Sequence, residues 1–258
     1  MSNALFAATA RGENIVSLRI VTDDNPYLGP SWIEELVAAL DTIARDAAVR
    51  VIILEGNPGY FCAGASQAML SELGAMAGYS TRLISGLLDL PVTVVAAAEG
   101  HAIGGGLLLA LWCDAVVLAE ERLYGANFAA LGFSPGMGST YMMTEAFGGS
   151  LGRELLFTGR LITGREIREM GCPLSHAVQP QAQVFARALA IAREFAAVPR
   201  RVIQEMKQQQ AAQRRALLQH SLPLEEDAQT RLFADPTIRA DVSSRYAVAL
   251  ERDPDTRA

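Results

Sequence analysis

Short apolar strands alternating with helical stretches predict an α/β fold with crossover connections, followed by a purely helical tail. Three observations carry this. VIILEG (51–56), PVTVVAAAEG (91–100) and DAVVLAE (114–120) are unbroken apolar runs, as in strands covered on both faces. Stretches with helical periodicity separate them, and from about residue 181 strand signals stop. A length of 258 residues suits one large domain, or one domain with a helical appendage, and half the residues are apolar.

In order along the chain, IVSLRIV (15–21) alternates and is rich in branched residues, so it reads as a strand. A capping-box pattern, Ser31 to Glu34, announces a helix over 31–46 whose Ile33, Val37, Leu40 and Ile43 recur at helical spacing. After the 51–56 strand, NPGYFCAGAS reads as a loop and 67–89 as helical. GGGLLLALWC follows the 91–100 strand and begins a buried helix. Beyond the 114–120 strand come helical segments near 137–147 and 150–158. Thr163 to Glu166 is a second capping box, opening a helix that Gly171 ends. QVFARALAIAREFAAV, the glutamine-rich stretch around 204–213, and 222–250 read as helices. The glutamines suggest a solvated helical face.

Composition excludes several classes. Net charge is −6 and no basic patch stands out, which argues against nucleic acid as a partner. Of 22 basic residues 21 are arginine; Lys207 is the only lysine. Cys62, Cys113 and Cys172 are odd in number and lack metal-ligand spacing, as expected of reduced thiols. No signal peptide or membrane-length apolar run is read, so a soluble, cytoplasmic protein without a membrane partner is expected.

Residues 100–106, GHAIGGG, place three glycines at a strand-to-helix junction, although glycine disfavours a helix by up to about 1 kcal/mol. By itself the triplet fits close helix packing. It also leaves the first amides of the helix bare, at the positive end of its dipole. A second small-residue loop, Cys62-Ala-Gly-Ala-Ser66, follows another strand-like run. Two such loops can aim two N–H groups at one oxygen, as an oxyanion hole does.

FCAGAS, PVTVVAAAEGHAIGGG, CDAVVLAE, YGANFAALGFSPGMGST and TGRLITGREIREMG, in this order, resemble the crotonase (enoyl-CoA hydratase/isomerase) superfamily over about residues 10 to 200. The resemblance implies a spiral of ββα units in a core domain over 1–198. It also implies a C-terminal helical trimerisation region over 199–258. Members bind acyl thioesters of coenzyme A or of an acyl carrier protein, without a further cofactor or metal. Carried over by position, the oxyanion donors are the amides of Ala65 and Gly105, and Gly104 belongs to the same turn. The expected assembly is a homotrimer or hexamer.

Hydratases of this family carry two glutamates; the matching positions here are Leu108 and Phe128, which transfer no proton. Ordinary hydration is therefore disfavoured and a dry pocket is expected. Tyr-x-Ala-Asn-Phe followed by Gly-Phe-x-Pro-Gly-Met-Gly is similar to the polyketide β-branching branch, whose members decarboxylate a 3-methylglutaconyl thioester. That chemistry suits an apolar pocket, because losing CO₂ pushes electrons into a dienolate whose oxygen the hole stabilises. One donor is worth about 2.7–4 kcal/mol. The branch's decarboxylases use a lysine after the first oxyanion loop and a histidine in the C-terminal helices. Residues 66–90 hold no lysine, and the histidine position falls near Gln229, shortly before Phe233. His101 reads as a buried support of the glycine loop, and His176 and His220 as surface residues. Candidate substitutes are Ser66, Gln67, Tyr79 and Arg82, the last as a carboxylate ligand. Asn127, Met137 and Tyr141 are further candidates for the pocket. Two alternatives stay open: a bifunctional dehydratase/decarboxylase of the same cassette, and a thioester-binding homologue without catalysis.

Overall fold

The computed structural model describes residues 5–21, 27–66, 69–70 and 76–251. Gln67, one of the candidate site residues, lies outside them.

Strands β1 (Phe6–Ala10) and β2 (Ile15–Ile20) form an antiparallel hairpin. Two-residue β3 (Tyr27–Leu28) leads into α1 (Pro30–Ala44). The capping box expected at Ser31 is not formed: Gly29 is the N-cap, without a side-chain bond. Pro30 occupies the first turn, where its fixed φ suits a helix start, so Ser31 already lies inside the helix.

Three ββα turns then follow. β4 (Val51–Glu55) continues into β5 (Tyr60–Cys62) and β6 (Gly64–Ala65), and α2 (Met76–Leu88) comes next. β7 (Thr93–Ala98) continues into β8 (His101–Ile103) and α3 (Gly105–Trp112). β9 (Ala115–Ala119) continues into β10 (Leu123–Gly125), α4 (Ser139–Phe147) and α5 (Gly149–Thr158). In each turn the first strand joins one sheet and the second another. The six-stranded sheet has the order β1-β2-β4-β7-β9-β12, and the four-stranded sheet β11-β10-β8-β5, where β11 is Ile162–Thr163 and β12 is Val178–Gln179. A small third sheet pairs β3 with β6 in parallel. The stretch read as one loop, NPGYFCAGAS, thus contains two strands too short to show a period.

α6 (Gly164–Glu169) starts with the expected capping box: Glu166 N donates to Thr163 Oγ1, and Glu166 receives the Thr163 amide. α7 (Val184–Ala197) covers the outer face of the large sheet. Ile53, Val95 and Val117 face it, while Ile52, Leu54 and Val94 face the main core, which explains the unbroken apolar runs. α8 (Arg200–Ala234) is one long helix that runs through Pro223, where separate segments were expected. α9 (Pro236–Glu251) follows a break at Asp235. Gln208, Gln209 and Gln210 are exposed, as a solvated face requires. Among the described residues no helix is long and apolar enough to cross a membrane.

Candidate active site

The spiral brings the two small-residue loops into contact. Gly64 has φ +85°, a conformation that favours glycine. A methyl group on it would stand 2.7 Å from the Ile103 carbonyl oxygen and 3.5 Å from the Gly105 nitrogen. A methyl group on Gly106 would overlap the Cys62 carbonyl. The first glycine-rich turn therefore lies directly on the start of α3, the close packing that the glycines permit.

The amides are aimed by the small sheet. Ser66 N donates to Leu28 O at 3.3 Å, and successive amides of a strand point to opposite sides. The Ala65 N–H thus points away from β3. Gly105 is the first residue of α3, whose N-terminal end carries partial positive charge. At the other end, Arg214 of α8 donates from both terminal nitrogens to the carbonyls of Trp112 and Leu111, each at 3.2 Å. A cation at that end matches the dipole.

The surroundings are apolar. A methyl group on Gly105 would stand 2.6 Å from Leu28 Cδ1 and 2.9 Å from Met137 Sδ, so both side chains pack on the glycine. Met137 has φ +59°, uncommon for a residue with a side chain. Its carbonyl accepts from Trp112 Nε1 at 2.9 Å. Leu108, one turn into α3, is fully buried. Phe128 is buried and meets Phe133 edge-to-face at 5.5 Å. Asn127 Oδ1 lies 3.0 Å from where a Gly104 methyl would be, so this polar group does reach the glycine turn.

Other candidates are engaged elsewhere. Ser66 Oγ accepts from Met69 N at 3.1 Å, which makes it the cap of the helical turn that follows. Arg82 is exposed and pairs with Glu34 of α1 at 3.5 Å. Tyr79 is half-buried against the core. Tyr141 lies beside Glu145; burial and then Glu145 push its hydroxyl up to about 12. Cys62 is buried beneath the turn, and burial pushes its thiol up to about 12, which keeps it neutral. His101 is buried and its Nδ1 accepts from Leu123 N at 2.8 Å, the supporting role expected of it. His176 and His220 are exposed. Lys207 is spent on Asp114 at 2.7 Å and on the Val92 carbonyl at 2.8 Å. Gln229 is buried and donates to the carbonyls of Ser134 and Pro135.

Sequence reasoning missed several contributors. Leu28 closes on Gly105 from a two-residue strand. Glu225 of α8 receives Gly138 N at 2.8 Å, Thr140 N at 2.9 Å and the Thr140 hydroxyl, and so caps the start of α4. Tyr246 of α9 donates to the Ala65 carbonyl at 2.9 Å. No local pattern signals these contacts, because their partners are distant in the chain.

Residues 16–255 match the family model described as enoyl-CoA hydratase/isomerase. The chain is 31% identical over 215 residues to the bacillaene synthase decarboxylase PksI of Bacillus subtilis, covering 83% of this chain and 86% of PksI. It is 36% identical over 177 residues to human mitochondrial methylglutaconyl-CoA hydratase, covering 65% of this chain and 52% of that protein. A solved structure from a dehydratase/decarboxylase enzyme couple involved in polyketide β-branching superimposes with TM-score 0.84 at 27% identity, covering 92% of this chain and 98% of that one. With the ββα spiral and the paired turns of Ala65 and Gly105, these matches place the chain in the enoyl-CoA hydratase/isomerase (crotonase) family.

Proposed function

We propose that the protein decarboxylates a 3-methylglutaconyl-type thioester, carried on an acyl carrier protein or on coenzyme A, in polyketide β-branching. The observation that carries this is the contact between the Gly64–Ala65 turn and the Gly105 amide, set among Leu28, Leu108, Phe128 and Met137. The site offers two N–H donors and no carboxylate at the positions where hydratases carry glutamates. The similarity to the decarboxylase PksI supports the reaction, and that to methylglutaconyl-CoA hydratase supports only the acyl group.

In this mechanism the C–C bond to the departing carboxylate breaks and its electron pair moves through the conjugated system to the thioester oxygen. CO₂ leaves, and the dienolate oxygen rests between the amides of Ala65 and Gly105. No base is required for that step. A proton then adds to carbon and restores the thioester. Each donor contributes about 2.7–4 kcal/mol to transition-state stabilisation. Neither a tetrahedral adduct nor activated water is involved, which is consistent with Leu108 and Phe128.

Mass spectrometry of the loaded carrier protein tests this directly, through loss of the mass of CO₂. A wild-type protein that binds the thioester and releases no CO₂ would replace the decarboxylase with the non-catalytic binder. That second reading draws on the Arg82–Glu34 pair and the engaged Gln229, which leave the branch's lysine and histidine without substitutes at those positions. Release of both water and CO₂ from the hydroxylated precursor would identify the bifunctional enzyme.

We further propose a cytoplasmic trimer or dimer of trimers. α8 exposes Val202, Met206, Leu217 and Leu224, apolar residues suited to a subunit contact. Light scattering showing a monomer at micromolar concentration would overturn the assembly.

A further inference from the structure

We propose that Tyr246 is a positioning residue for the oxyanion hole, and that α9 latches the first oxyanion turn through it. The proposal rests on the function above only in taking Ala65 N–H as an oxyanion donor. Ala65 is held on its two sides by different elements. Toward β3, its neighbour Ser66 donates to Leu28 O at 3.3 Å, a long bond. On the other side the Ala65 carbonyl accepts the Tyr246 hydroxyl at 2.9 Å. In an extended residue the N–H and C=O point to the same side. Tyr246 therefore fixes the peptide plane beside the donor amide, on the side that faces the ligand.

The turn needs such a fixture. Gly64, directly before Ala65, permits the left-handed φ but supplies no stiffness. Tyr246 is itself well fixed. It is buried, as is Val242 one turn earlier on the same helix. The Tyr246 hydroxyl thus ties α9 to the oxyanion turn. A latch of this kind changes where the amide points without touching the reacting atoms.

Tyr246→Phe keeps the ring and removes the donor. The readout is the thioester carbonyl stretch of bound ¹³C-labelled 3-methylcrotonyl-CoA, measured by difference infrared spectroscopy. Polarisation by the hole lowers this frequency in the wild-type protein. The expected result is a smaller lowering in Tyr246→Phe, with ligand affinity and circular dichroism unchanged. In the decarboxylation assay Tyr246→Phe is expected to lower kcat about tenfold with little change in KM, the pattern of a misplaced donor. An unshifted carbonyl in the wild-type protein would mean that no working hole exists, and the functional reading would fail with it. A normal shift in the wild-type protein and an equal one in Tyr246→Phe would overturn the latch alone. Were Tyr246→Phe to unfold, Tyr246→Met, an apolar side chain without the donor, would decide by the same readout: a reduced shift supports the latch and an unchanged shift overturns it.

Discussion

Gly64→Ala separates the two demands that this position meets. The backbone at Gly64 has φ +85°, where a residue with a Cβ costs about 1–2 kcal/mol. The new methyl group would also stand 2.7 Å from the Ile103 carbonyl oxygen, whereas ordinary van der Waals contact begins at 3.4 Å. The turn must retreat by several tenths of an ångström from the start of α3. Because the Gly105 nitrogen lies 3.5 Å from the same methyl position, this retreat moves the Ala65 side of the hole away from the Gly105 side. Stability should fall by about 2 kcal/mol, a melting-temperature loss of several degrees for a domain of this size. Activity should fall much further, by about 100-fold, the lower figure for losing one oxyanion donor. The assay is CO₂ release from 3-methylglutaconyl thioester at saturating substrate, with circular dichroism and a melting curve on the same preparation. A folded variant that retains at least a third of the wild-type rate would refute the reasoning, since the two turns would then not act as a pair.

Three more outcomes follow from the same geometry. Arg82→Ala breaks only an exposed pair with Glu34, so it should cost less than about 1 kcal/mol and leave decarboxylation unchanged; a tenfold fall in rate would return Arg82 to the site. Lys207→Met strips the charge partner from Asp114, which keeps only the Val94 amide at 2.7 Å and partial exposure, so urea unfolding should show a loss of about 3 kcal/mol. Burial holds Glu225 above the usual carboxylate range, against donors from Thr140 and Gly138. Its folded value therefore exceeds its unfolded one, so its contribution is full below the unfolded value and is lost as pH rises through the folded value. The stability advantage of wild type over Glu225→Gln in urea titrations should shrink as pH rises above about 4.5, and an advantage that grows would contradict the raised value.

β4, β7 and β9 were legible because each is a long enough apolar run to show that both faces are covered, as Ile52 and Ile53 illustrate by facing different cores. β3, β6, β11 and β12 were not, since a two-residue strand has no period to read, and the largely exposed β1 offers no apolar run. The capping box at Thr163 held, whereas the same pattern at Ser31 failed because Pro30 is a stronger start signal. At the site, the glycines pointed to both turns because a close backbone approach tolerates little else. Tyr141, a polar candidate without a pattern to place it, sits beside Glu145.

What the sequence hid most completely is the work of the C-terminal helices. The supports of the site lie in α8 and α9, beyond residue 198. Glu225 and Gln229 are four apart on α8 and so share a face. Together they hold Ser134, Pro135, Gly138 and Thr140, the segment that keeps Met137 in its left-handed conformation against Gly105. Such a conformation persists only where the surroundings over-determine it. Arg214 on the same helix completes the far end of α3, and Tyr246 on the next helix holds Ala65. Each of these side chains meets a backbone amide or carbonyl of the core, so without the tail those groups would lose their partners at the place where alignment matters most. The resemblance puts a histidine position near Gln229, and here the Gln229 amide braces the Ser134–Pro135 loop. Under the proposed function, chemistry at the thioester is then left to backbone amides held in place from behind.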